Sequence, residues 1–128
     1  MSEIVIPQIT TEYFDEVYIQ HVMELYRYDT KEELEYKLSG ETDSNLNKRA
    51  ERYIDTYLMN EGTTLLNENN WKACKELYIE WKLFEEVEVE DVSKDKKESL
   101  HELLDLFKER VTKTSVNTAS NIYGLEVF

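Results

Sequence analysis

Three glycines and one proline are the only conformational breaks in this chain of 128 residues. Between them, apolar residues recur at intervals of three and four, the spacing of one face of a helix. The fold expected is therefore all-α: one domain of four to five helices with an extended arm at each end. Residues 1–111 form the helical domain with its short N-terminal arm, and residues 112–128 form an extended C-terminal tail.

The boundaries follow from local chemistry. Ile4-Val5-Ile6-Pro7 reads as an extended arm, because Pro7 lacks the N–H and the freedom in φ that an early helix would use. Thr10 or Thr11 can cap a first helix reaching about Tyr28, with Phe14, Tyr18, Val22, Leu25 and Tyr26 on one face. Thr30 and Glu33 have the spacing of a capping box and open a second helix, Lys31 to Leu38, stopped by Ser39-Gly40. The polar run Glu41 to Asn45 caps a third helix carrying Leu46, Ala50, Tyr53, Ile54, Tyr57 and Leu58, which Gly62 ends. Asn67 to Asn70 introduces a fourth, with Trp71, Cys74, Tyr78, Trp81 and Phe84 as its stripe. That helix should yield in the acidic run Glu85 to Asp91, since carboxylates oppose the negative end of the helix dipole. Ser93 or Asp95 then caps a fifth, with Leu100, Leu103, Leu104, Phe107 and Val111 as its stripe. The third and fifth helices are expected to form the central packing pair.

Charge is distributed unevenly. Residues 1–92 hold 22 Asp and Glu against 9 Lys and Arg, whereas residues 93–128 hold 6 of each, so the net charge of −13 arises ahead of Ser93. Such an acidic chain is poorly suited to nucleic acid, whose binding is driven by Lys and Arg displacing counterions. Hydrophobic content of 41%, with 9 Tyr, 4 Phe and 2 Trp, is ample for one core and argues against global disorder. A single cysteine rules out an intramolecular disulfide framework and suits a reducing compartment. Met1-Ser2-Glu3 lacks the positive region of a signal peptide, and no apolar run is long enough to span a bilayer, so no membrane partner is expected.

Reactive chemistry is hard to find. His21 and His101 stand 80 residues apart and outside any metal-binding spacing. His101 reads as an edge residue and Cys74 as an inert apolar-face thiol without a cationic partner. The acidic run lacks the loop pattern of a calcium site, and the isolated glycines make no phosphate cradle. The tyrosines read as core or core edge, because a stacking platform for bases needs interleaved positive charge that the sequence does not place beside them. No catalytic, cofactor-binding or metal-binding residue is expected, and the protein is read as a non-enzyme.

The tail points instead to assembly. Thr112 to Phe128 carries only Lys113 and Glu126 as charges, and a polar spacer leads to an apolar end. Val116, Ile122, Tyr123, Leu125, Val127 and Phe128 are the candidate partner-binding residues, since exposed apolar groups need something to cover them. Folding back over the chain's own helices and reaching a partner both remain open for this segment.

The order of elements resembles the small helical head–tail connector, or head-completion, proteins of tailed bacteriophages. The resemblance lies in the start Ile9-Thr10-Thr11-Glu12-Tyr13 and in the central segment Ala50-Glu51-Arg52-Tyr53-Ile54-Asp55-Thr56-Tyr57-Leu58. It continues in the helix Trp71 to Phe84 and the pair Leu103-Leu104. It implies a virion protein at the head–tail neck, assembled in the bacterial cytoplasm. Such a subunit forms a homo-oligomeric ring, commonly of twelve copies, below the portal, contacts portal and tail or neck proteins, and extends the DNA channel. A negative wall suits that channel because it does not trap a sliding polyanion. A second reading from composition remains beside it: an acidic inhibitor or immunity protein occupying the basic groove of a nuclease or other DNA-binding enzyme.

Overall fold

A computed structural model describes residues 4–13 and 16–123, with side chains described as far as Glu109 except those of Glu16, Tyr18 and Tyr26. Six α-helices follow a 3-10 turn at Thr11–Tyr13, and no strand occurs among the described residues. They are α1 (Glu16–Tyr26), α2 (Lys31–Ser39), α3 (Leu46–Tyr57), α4 (Gly62–Leu65), α5 (Glu68–Glu86) and α6 (Glu90–Tyr123).

The caps read from sequence are largely in place. Thr30 Oγ1 accepts from the Glu33 amide at 3.2 Å, Asn45 caps α3 through the Lys48 amide, and Asn67 caps α5 through the Asn70 amide. The capping box is shifted by one residue, because the Glu33 carboxylate accepts from the Asp29 amide at 3.0 Å rather than from that of Thr30. The acidic run divides as its charges require. Glu85 and Glu86 end α5, Glu88 turns the chain at φ 61°, and Glu90 and Asp91 lie in the first turn of α6, where the positive end of the dipole favours them.

Several boundaries differ from expectation. Ser93 is a buried position inside α6 rather than its cap; its amide bonds Val89 O and its hydroxyl donates to Trp81 O at 3.3 Å. Gly62 opens α4 instead of terminating α3, which ends at Tyr57 and is followed by Met59 and Asn60, both left-handed at φ 55° and 65°. A Cβ at Gly62 would lie 2.8 Å from Asp55 Oδ1 and from Trp71 Cζ2, so close packing fixes glycine there. The expected break before Thr112 is also absent. α6 runs through 112–123 as continuous helix, since that stretch holds poor helix formers but no proline or glycine before Gly124.

The central pair is α5 with α6, and not the third helix with the last. α5 buries Trp71, Cys74, Tyr78, Ile79, Trp81, Leu83 and Phe84 around most of its circumference. α6 covers one side with Leu100, Leu104 and Phe107, and α3 covers another with Leu46, Ala50 and Ile54, joined by Leu58 just past its end. α1 and α2 add Val22, Leu34 and Leu38.

Residues 4–10 form no regular secondary structure and are bound closely to the bundle. Ile9 is buried, its N–H donates to Asn47 Oδ1 at 2.8 Å and its carbonyl accepts from Asn47 Nδ2 at 2.9 Å. Asn47, wholly buried, also donates to Leu38 O at 2.8 Å. The Lys75 ammonium donates to Pro7 O at 2.7 Å and to Glu51 Oε2 at 2.6 Å, and Gln8 Nε2 donates to the same Glu51 oxygen. These polar residues on helical faces do the work of a neighbouring strand for this segment.

Candidate functional site

Three helices converge on one aromatic seam. α3 supplies Tyr53 and Tyr57 one turn apart, α5 supplies Tyr78 and Trp81, and α6 supplies His101. The imidazole lies nearly parallel to Tyr53 (centroids 6.1 Å, planes 12° apart) and to Tyr57 (5.3 Å, 25°), and Trp81 meets both Tyr53 and Tyr78 edge to face. Tyr53 Oη and His101 Nε2 share a hydrogen bond of 2.5 Å, and Tyr57 Oη donates to Asp105 Oδ1 at 2.5 Å. His101 is half-buried, at the edge position its neighbours in sequence suggest, and there it packs into a ring cluster that the sequence does not reveal.

Cations surround this seam. Lys82 and Lys97 lie 4.0 and 5.4 Å from the Trp81 ring centre, Lys108 lies 5.1 Å from that of Tyr57, and the Arg49 guanidinium neighbours the Tyr78 phenol. Positive charge thus is interleaved with the tyrosines, contrary to the reading from sequence, because residues from three helices are brought together in space. The phenols respond to their surroundings. The hydrogen bond to Asp105, with burial behind it, pushes Tyr57 up to about 12, and burial raises Tyr53 and Tyr78.

Other candidates lead elsewhere. Cys74 is buried and desolvation pushes its thiol up to about 12, which holds it as an unreactive thiol at neutral pH. His21 is exposed on α1. Among the described residues no group of three or more His, Cys, Asp or Glu is placed to hold a metal ion, and no helix is long and apolar enough to cross a membrane. Glu80 is buried between Lys96 Nζ at 2.8 Å and the Tyr13 hydroxyl at 2.6 Å, a tie between α5, α6 and the N-terminal turn. Trp71 Nε1 is buried without a hydrogen-bond partner beside a cleft of about 260 Å³ lined by Ile6, Arg52, Asp55 and Asn60.

Of the partner-binding residues expected from sequence, Val116, Ile122 and Tyr123 belong to α6, their side chains outside the described set. Leu125, Val127 and Phe128 lie outside the described residues. Compared with family models, curated proteins and solved structures, the chain gives no significant match to any of them.

Proposed function

We propose that this protein is a structural assembly subunit, of the kind represented by the head–tail connectors of tailed bacteriophages, that joins copies of itself and neighbouring virion proteins through its C-terminal segment. The observation that carries the reading is the length of α6: 34 residues against 19 in α5, its antiparallel neighbour. At about 1.5 Å per residue, α6 outruns α5 by roughly 20 Å. It leads toward Ile122, Tyr123, Leu125, Val127 and Phe128, apolar groups that a partner would cover. The connector reading is further supported by the residues of Ile9 to Tyr13 and Ala50 to Leu58 and by the acidic body, which suits a wall along a DNA path.

The test is deletion of residues 115–128 in the full protein. The melting temperature of the isolated chain should stay nearly unchanged, since Leu100, Leu104 and Phe107, by which α6 enters the core, all precede the cut, while ring formation seen by negative-stain imaging and co-purification with portal or tail proteins should be lost. A truncated chain that melts many degrees lower, or one that still assembles, refutes the reading.

A further inference from the structure

We infer that the cation-rimmed aromatic seam between α3 and α6 is the receiving half of a head-to-tail interface, and that its occupant is the acidic, tyrosine-bearing face of α2 on a second copy of this chain. The inference rests on the assembly reading above and assigns it a second surface, separate from the C-terminal segment.

The receiving side is defined by its chemistry. Tyr53, Tyr57 and His101 are half-buried, and Lys97 and Lys108 stand exposed beside them. Three lysines thus meet these rings, with Asp105 on the Tyr57 hydroxyl and Glu85 3.4 Å from Lys82, in a chain of net charge −13. The donating side is α2. Tyr36 is 62% exposed, the largest exposed aromatic among the described residues, and Glu32 and Glu33 lie one helical turn before it, both exposed. An aromatic flanked by carboxylates complements an aromatic seam rimmed by ammonium groups. Tyrosine anchors are frequent at interface centres, and complementary charge sets orientation and encounter rate. Because the two patches are different surfaces of one molecule, their union is heterologous and adds copies in one direction.

A nucleic-acid strand fits the same seam poorly. Trp81 is only 6% exposed, and Lys82 already lies 4.0 Å from its ring centre, so no open face remains for a base to stack on. Trp81 also stands edge-on to Tyr53, Tyr78 and His101, at 72° to 80°, so it adds no parallel face to the seam.

Sedimentation velocity on the full-length protein tests the pairing. Wild type should self-associate, more strongly at low salt than at high salt. The double variants Lys97→Glu/Lys108→Glu and Glu32→Lys/Glu33→Lys should each weaken association by about tenfold or more, and an equimolar mixture of the two should restore it, because each supplies a compatible pair of faces. Tyr36→Ala should weaken it with unchanged helicity, a readout independent of charge. Wild type that stays monomeric at high concentration, variants that associate normally, or a mixture that fails to recover overturns the proposal. So does a single-stranded oligonucleotide that binds wild type and is lost from Lys97→Glu/Lys108→Glu. If the α2 and seam variants assemble normally while deletion of 115–128 disperses the complex, this interface is wrong and the assembly reading stands.

Discussion

The Lys75 ammonium lies 2.6 Å from a carboxylate oxygen of Glu51, with the lysine side chain wholly buried and the glutamate about a quarter exposed. A buried cation depends on its counter-ion, because removing that partner leaves a charge with neither water nor opposite charge to stabilise it. Burial holds Lys75 below its ordinary value of 10.5, while Glu51 opposes that shift. Glu51→Gln should destabilise the protein by about 3 kcal/mol in urea unfolding. Lys75→Met, which removes the buried charge itself, should cost less than Glu51→Gln. A cost inside about 0.5 kcal/mol for Glu51→Gln would show that the lysine is hydrated.

Asn47→Ala should cost about 2–4 kcal/mol, because it strands the buried amide and carbonyl of Ile9 and the carbonyl of Leu38. Amide hydrogen exchange at Ile9 should accelerate in the same variant. Unchanged protection there would mean that Asn47 does not hold the segment.

Leu104 is fully buried on the face of α6 that meets α5, and Leu104→Ala should destabilise by about 2–5 kcal/mol. Exposed Leu106, two residues on, is the internal control: Leu106→Ala should change stability by less than about 0.5 kcal/mol.

Glu88→Gly should stabilise the protein by about 0.5–1 kcal/mol. Glu88 closes the end of α5 at φ 61°, a left-handed geometry that glycine adopts without Cβ strain. Thermal unfolding measures it, and a lower melting temperature would mean that the Glu88 side chain makes a contact outweighing that strain.

Stability should fall as pH rises from about 9 toward 12. Tyr28, Tyr53, Tyr57 and Tyr78 are raised above 10.0, with burial the leading cause for all but Tyr57, and Cys74 is raised from 9.0 by burial. The folded chain therefore keeps these protons in a range where the unfolded chain releases them. Their stabilising contribution is complete below the unfolded values and is lost as pH climbs through the folded ones. Lys75 acts in the opposite sense between its lowered value and 10.5, but it is one group against five. Urea unfolding along a pH series, with tyrosinate absorbance as the second readout, checks the sign; phenols that ionise at the ordinary value of 10.0 would contradict it.

Features determined by near neighbours in sequence were the ones legible there. Thr30, Asn45 and Asn67 were readable as caps because a cap needs only the amide two or three residues on. The stripes of α3, α5 and α6 were readable because periodicity is local. Helix ends closed by Arg27, Met59, Asn60 and Glu88 in left-handed geometry were not, since none of these is the glycine that normally marks such an end. The aromatic seam was half visible. Tyr53, Tyr57, Tyr78 and Trp81 declare themselves as ring-bearing faces, but His101, Lys97 and Lys108 join them only when α6 folds back along α5. Lys75 and Asn47 occupy positions on helical faces that look apolar, and only the path of the N-terminal segment explains why polar groups are buried there.

The ties from Pro7 and Ile9 to Lys75 and Asn47 also impose a schedule on the chain as it is made. Pro7 precedes Lys75 by 68 residues, so the segment must be synthesised long before the side chain that anchors its carbonyl exists. At roughly 5–20 residues per second, the interval is on the order of 3–14 s. Throughout that time Ile4, Ile6 and Ile9 leave the ribosome with no bundle to enter. The segment is thus made early and fastened late, and its isoleucines stay uncovered until α3 and α5 exist to receive them.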